Sequence, residues 1–266
     1  MMTAVVIWGA YLVLGALAGT MAGLFGVGGG LIIVPVLVMG FGLQGIDEAV
    51  IMHLAVGTSL ATIMITGASS AWSHYRRGSL HWPWFLALLP GLILGAIAGV
   101  FIAGALSSGL LGTLFGVFVW LMAIRLAVGF TPRVGHRAPG RAVMVLAGVV
   151  IGAISSLFGI GGGALTVPWL SRAGASMTRA VGTSATCGLP IALFGTLTFM
   201  AIGWGEARLP AIATGFVMWP VVLCIAITSV PFARLGARLA HRLPARVLRL
   251  GFATLLAVVG TKFLLS

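Results

Sequence analysis

Two glycine runs and two Gly-Thr-Ser triplets are the parts of this 266-residue chain whose residue types and spacing can do chemistry. The runs are Gly28-Gly29-Gly30 and Gly161-Gly162-Gly163; the triplets carry Thr58-Ser59 and Thr183-Ser184. Glycine lets a backbone turn sharply and lets a ligand approach it closely. A helix starting just after each run, at Leu31 and at Ala164, presents unpaired N–H groups and a positive dipole end, a natural anion seat. The hydroxyls are small donors that can bind an oxyanion or cap a helix start, although such groups also bond their own i−4 carbonyl. His53 lies one turn before Gly57, hence on the same helix face, and reads as a proton carrier or as a headgroup-level histidine. Arg77, in the run His74-Tyr75-Arg76-Arg77, reads as an interfacial anchor or a gate. Arg179, with Arg172, either obeys a cytoplasmic charge bias or draws anions from that side.

The missing residue types narrow the chemistry. No acid interrupts a long apolar run, so neither a carboxylate proton relay nor a carboxylate sodium site is available. A coupled proton would have to use histidine, the substrate or water, and a coupled sodium ion only carbonyl and hydroxyl oxygens. No Cys/His cluster has metal-ligand spacing and no GxxxxGK[ST] loop occurs, so no metal, cofactor or fused ATPase is expected. Ser69, Ser70 and His74 suggest an intramembrane hydrolase as the rival class, but no G-x-S-x-G elbow accompanies them. The chain reads as a non-enzyme.

The elements that must position these residues are apolar. Hydrophobic residues make up 60% of the chain and charged residues 7%, and the mean hydropathy is +1.19. A soluble domain carries about 25% charged residues to face water. The net charge of +12 does not indicate nucleic acid, because the basic residues are sparse and separated by long apolar runs. Cys187 and Cys224 make no disulfide framework. An integral, all-α membrane protein is expected. Its segments fall at 4–25, 31–41, 49–73, 82–103 and 109–129, then at 142–158, 164–170, 180–203, 209–232 and 247–265. In each half the second segment is only about half as long as a crossing requires. The N-terminus lacks the basic start of a signal peptide, and its first apolar run is expected to be retained.

The halves repeat. Residues 19–37, GTMAGLFGVGGGLIIVPVL, align with residues 152–170, GAISSLFGIGGGALTVPWL, and AVGTS occurs at 55–59 and at 180–184. The division is a first repeat at 1–130, a linker at 131–141 and a second repeat at 142–266. Duplicated halves with matching breaks in apolar segments are a transporter pattern, because broken backbone at membrane depth is tolerated only around a cavity. Gly15, Gly19 and Gly23, spaced by four, suit close helix packing instead. With the N-terminus outside, 13 of the 15 basic residues face the cytoplasm: Arg76 and Arg77, the four arginines from Arg125 to Arg141, Arg172 and Arg179, and the five from Arg234 to Arg249. Asp47, Glu48 and Glu206 then lie outside, and five segments per half invert the second repeat relative to the first.

The paired LFG[VI]GGG…VP and AVGTS motifs resemble those of the TauE/SafE family of sulfite and sulfur-anion permeases, over essentially the whole chain. That resemblance implies a multi-pass permease of the bacterial inner membrane with sulfite, thiosulfate or organosulfur carboxylates as substrates. It puts Gly28, Gly29, Gly30, Thr58, Ser59, Gly161, Gly162, Gly163, Thr183 and Ser184 at the family's signature positions. Exporters and importers both occur in the family, so direction does not follow. The combined expectation is two inverted repeats with broken or re-entrant glycine-rich hairpins, moving a small anion by alternating access, with an anion channel as the alternative. The partners are the anion, the lipid bilayer and a coupling proton or sodium ion, with both termini periplasmic; oligomeric state stays open.

Overall fold

A computed structural model describes residues 2–25, 30–129, 139–240 and 245–265. The described residues are helical, with no strands: α1 (Met2–Phe25), α2 (Gly30–Leu43), α3 (Glu48–Arg76), α4 (Trp82–Ala105) and α5 (Ser108–Val128), then α6 (Arg141–Leu157), α7 (Gly163–Arg172), α8 (Met177–Ile202), α9 (Trp219–Ala240) and α10 (Ala245–Leu265). Among the described residues four helices, α3, α4, α5 and α8, are long and apolar enough to cross a membrane. With 14 and 10 residues, α2 and α7 reach only about 21 and 15 Å, short of the roughly 30 Å hydrocarbon core. Most of the linker expected at 131–141 lies outside the described residues.

The largest helix contacts run between the halves. α4 packs on α6, α1 on α9, α5 on α10 and α3 on α8. The first two contacts are dry and close because both sides give up side chains. Gly91, Gly95 and Gly99 of α4 meet the backbone of α6 at Val145, Val149 and Ala153, with no room for a Cβ. Gly148 and Gly152 of α6 return the contact on Leu88 and Leu92. Gly15 and Gly19 of α1, 133 residues earlier, meet Ile225 and Ser229 of α9 in the same manner. This is the close packing that their spacing suggested, and it holds helices together where no hydrophobic effect separates protein from lipid. Gly23 is not part of that description.

At the centre, α3 buries every residue from Met52 to Ile63. Trp72, Tyr75, Trp82 and Phe85 make successive ring contacts, the first tilted and the next two edge-on, with Arg76 over Trp72 at 5.5 Å. That grouping suits an interfacial belt.

One expected segment is corrected. The apolar stretch 209–232 is not one helix: residues 203–218 form turns, and α9 begins only at Trp219. Gly205 and Gly215 take positive φ (84° and 56°), and Pro210 interrupts the run. The Trp219-Pro220 pair starts the helix, since proline lacks only an N–H that the first turn leaves unpaired anyway. Hydropathy could not separate this segment from a crossing helix, because its end is apolar and buried: Phe216, Val217 and Met218 all lie inside the protein.

Gly95→Val should destabilise the fold by about 1–3 kcal/mol through overpacking. Gly251→Ala, at a position with nothing within 4 Å, should change stability little or raise it slightly. Tryptophan-fluorescence melting of the detergent-solubilised chain distinguishes the two.

Candidate functional site

The two glycine breaks meet in the middle of the bundle. Gly30 abuts the backbone of Gly159 and Ile160, and Ile63 of α3 packs against both Gly30 and Gly161. Gly188 of α8 sits on the Gly161 carbonyl. Ser59 Oγ donates to the Gly159 carbonyl at 2.8 Å, so the first triplet grips the second break. Gly28 and Gly29 lie outside the described residues.

The threonines of the triplets do something else. Thr58 Oγ1 accepts from the Met218 N–H at 3.1 Å, and Thr183 Oγ1 accepts from the His81 N–H at 3.0 Å. Met218 and His81 each immediately precede a Trp-Pro pair, Trp219-Pro220 and Trp82-Pro83, that opens a long helix. The neighbouring glycines repeat the relation. Gly57 has no space for a Cβ because the Phe216 carbonyl occupies it, and Gly182 is likewise filled by the Ser79 carbonyl. Each half therefore pins, through Gly-Thr, the start of the other half's helix, with both pairs of partners 137 residues apart. The doubled Trp-Pro was the sequence signal for this arrangement, and it also marked where α9 begins.

Around the second break the structure leaves donors unused. Gly162 adopts φ 74° as the N-cap of α7, a conformation suited to glycine, and no side chain caps the turn. The Gly162 carbonyl takes the N–H groups of Leu165 and Thr166, while those of Gly163 and Ala164 have no intrahelical acceptor. Two fully buried hydroxyls, Thr166 Oγ1 and Ser155 Oγ, have no hydrogen-bond partner. They lie 3.4 and 3.6 Å from the point that a Cβ on Gly162 would occupy. Ser184 Oγ is also buried and unpartnered, on the face of α8 that carries Gly188 one turn later. Sequence reasoning missed Ser155 and Thr166 because nothing repeats there: 133 residues earlier stand Ala22 and Ile33. The two breaks are thus chemically unequal.

The remaining candidates lie outside the two breaks. Arg77 caps the end of α3 and Arg179 lies in the first turn of α8, both exposed, and neither hydrogen-bonds to a glycine break. His74 pairs with Ser79 Oγ at 3.0 Å while Ser69 and Ser70 are exposed, so the hydrolase constellation does not assemble. His53 is buried beside a cavity of about 490 Å³ whose lining includes Glu48, Ser108, Glu206, Arg208 and Phe216. At that rim Arg208 forms a two-pronged ion pair with Glu206, 2.8 and 3.0 Å, and holds its carboxyl below the usual carboxylate range. Asp47 and Glu48 are exposed and Glu206 partly so; no acid faces the break. Among the described residues no three His, Cys, Asp or Glu side chains come together as metal ligands.

The sequence model of the family described as Sulfite exporter TauE/SafE matches residues 11–263. The chain belongs to the TauE/SafE family. It is 38% identical over 257 residues to a probable membrane transporter protein of Haemophilus influenzae, covering 96% of this chain and 97% of that one. It is 29% identical to a probable membrane transporter protein of Methanocaldococcus jannaschii, over 96% and 94% of the two chains. A third relative, the probable membrane transporter protein YdhB of Bacillus subtilis, is 26% identical over 92% and 95%. Together with the apolar helices, TauE/SafE membership makes this a membrane transporter for a small substrate, and points to a permease rather than an enzyme.

Thr58→Val should cost about 1–3 kcal/mol, because it strands the buried Met218 N–H. Ser184→Ala removes a hydroxyl that has no partner and should leave stability nearly unchanged. Thermal unfolding of both variants in one detergent checks the contrast.

Proposed function

We propose that this TauE/SafE protein is a secondary transporter for a small anion, a sulfur oxyanion or organosulfur carboxylate such as sulfite, thiosulfate or sulfoacetate. The observation that carries the reading is the uncapped start of α7 at Gly162, where Ser155 and Thr166 present buried hydroxyls without partners. Buried donors without acceptors are costly in a membrane interior, and an anion supplies the acceptors that they lack. The N–H groups of Gly163 and Ala164 add the positive end of a helix. All three acids lie away from this point, so an entering anion meets no like charge.

In this reading Gly161, Gly162, Gly163, Ser155, Thr166 and Ser184 form the seat. Gly30 closes it from the other half. Thr58, Ser59 and Thr183 hold the frame. The halves, 1–130 and 142–266 joined by the linker 131–141, are inverted repeats that rock against each other, so that the seat opens to one side and then the other. The charge bias sets both termini in the periplasm of a bacterial inner membrane, with Arg77 and Arg179 on the cytoplasmic side. The family's name, Sulfite exporter TauE/SafE, supports sulfite within the substrate class.

Uptake of a panel of radiolabelled sulfite, thiosulfate, sulfoacetate and acetate by proteoliposomes tests the reading. A sulfur anion should be taken up and should show trans-stimulation, which a channel lacks. Ser155→Ala and Thr166→Val should each lower uptake about tenfold, the loss of one charge-assisted hydrogen bond of about 1.5 kcal/mol. Unchanged uptake in both variants, and in Ser184→Ala and Gly162→Val, would overturn the site. Cysteines placed near Asp47 and near Arg137 should react from opposite sides of the membrane.

A further inference from the structure

We propose that His53 is the proton-coupling site of this transporter, taking up one proton at Nδ1 from the Glu48–Glu206 cavity and carrying it together with the anion. The coupling rests on the anion-transport reading above; the proton site rests on geometry of its own.

His53 Nε2 lies 2.9 Å from the Ala103 carbonyl. A carbonyl cannot donate, so Nε2 carries the hydrogen and the neutral ring has its free lone pair on Nδ1. That atom is buried and has no partner. A histidine kept only to bond one carbonyl would leave this second nitrogen as a pure desolvation cost. As an imidazolium, the ring would have donors on both nitrogens. Ala103 lies in the last turn of α4, whose C-terminal carbonyls favour a cation.

The surroundings supply a path and an opposing charge. The chain has three acids, and two of them, Glu48 on α3 and Glu206 in the 203–218 segment, line the cavity beside His53. Arg208 at the same rim opposes the imidazolium but is held by Glu206. The α4 and α5 ends contribute Gly104, Leu106, Ser107 and Ser108, without charge. Phe216, which also lines the cavity, lies against the ring, centroids 5.3 Å apart, and its carbonyl fills the space at Gly57 beside Thr58. His53 therefore stands between an acidic vestibule and the gripped breaks. A positive imidazolium at this position strengthens anion binding and is strengthened by it in return, so the two charges load together. Each proton carried reduces by one the charge moved against the membrane potential, about 2.3 kcal/mol per 100 mV.

Two measurements on the full chain test this. In nanodiscs, ¹⁵N-histidine NMR should find His53 as the Nε2–H tautomer, with Nδ1 gaining a proton as pH falls from about 9 to about 4, a range bracketing ordinary histidine. An Nδ1–H tautomer, or no titration, overturns the proton site, and this uses the wild-type chain whether or not variants fold. In proteoliposomes, [³⁵S]thiosulfate, whose charge is constant over this range, and [³⁵S]sulfite serve as probes under an imposed pH gradient. For one proton, wild-type accumulation should rise by up to about tenfold per pH unit of gradient. His53→Gln keeps a donor for Ala103 but cannot titrate; it should retain counterflow and lose gradient-driven accumulation. Gradient-driven accumulation equal to wild type in H53Q overturns the coupling. Wild-type uptake of neither probe defeats the anion reading and the coupling with it, while the NMR titration still decides the proton site.

Discussion

A membrane interior supplies no water to satisfy an unpaired backbone group, and the rest of this structure depends on that constraint. The chain leaves helical geometry at the turn before α7 and in residues 203–218, whose end at Phe216, Val217 and Met218 is buried, and a buried N–H must find a partner. Thr58 and Thr183 answer part of the requirement by taking the N–H groups that precede the two Trp-Pro helix starts. Ser59 answers another part by donating to the Gly159 carbonyl. The Phe216 N–H bonds the Phe199 carbonyl at the end of α8. Ser155 Oγ and Thr166 Oγ1 both remain without a partner near Gly162, and those two donors are the basis for reading an anion seat there.

The side-chain partners Thr58, Thr183 and Ser59 each come from the opposite half, and this explains how the protein is held together. A half alone would lose the threonine that pins its fourth helix and the glycine surface on which that helix lies. α4 rests on α6 through Gly91, Gly95 and Gly99, and α9 rests on α1 against Gly15 and Gly19. The two halves nevertheless differ where ligand chemistry is expected. Ser155 and Thr166 flank the second break, whereas Ala22 and Ile33 occupy the matching positions of the first. The symmetric parts are structural, and the asymmetric hydroxyls carry the proposed chemistry.

Much of this was legible in the sequence, for physical reasons that can be named. Long apolar runs forced helices, and the short segments after the glycine runs became α2 and α7 because too few residues were available to span. The small-residue spacing in α1 identified a packing face. Residues 209–218 misled because hydropathy responds to burial in protein and in lipid alike; Phe216 and Val217 are apolar for the first reason. Thr58 and Thr183 were expected at the ligand, yet they bond backbone, since a hydroxyl's partner depends on which loop the fold brings beside it. Ser155 and Thr166 went unnoticed because repetition was the guide and they are not repeated.

The central claim is that an anion occupies the uncapped start of α7. Anomalous diffraction from crystals of the full chain grown with selenite, a heavier counterpart of sulfite, tests it most directly. The account predicts a selenium peak within hydrogen-bonding reach of the Gly163 and Ala164 N–H groups and of Ser155 and Thr166. An ordered selenium site elsewhere in the protein, with that helix start left empty, would contradict it.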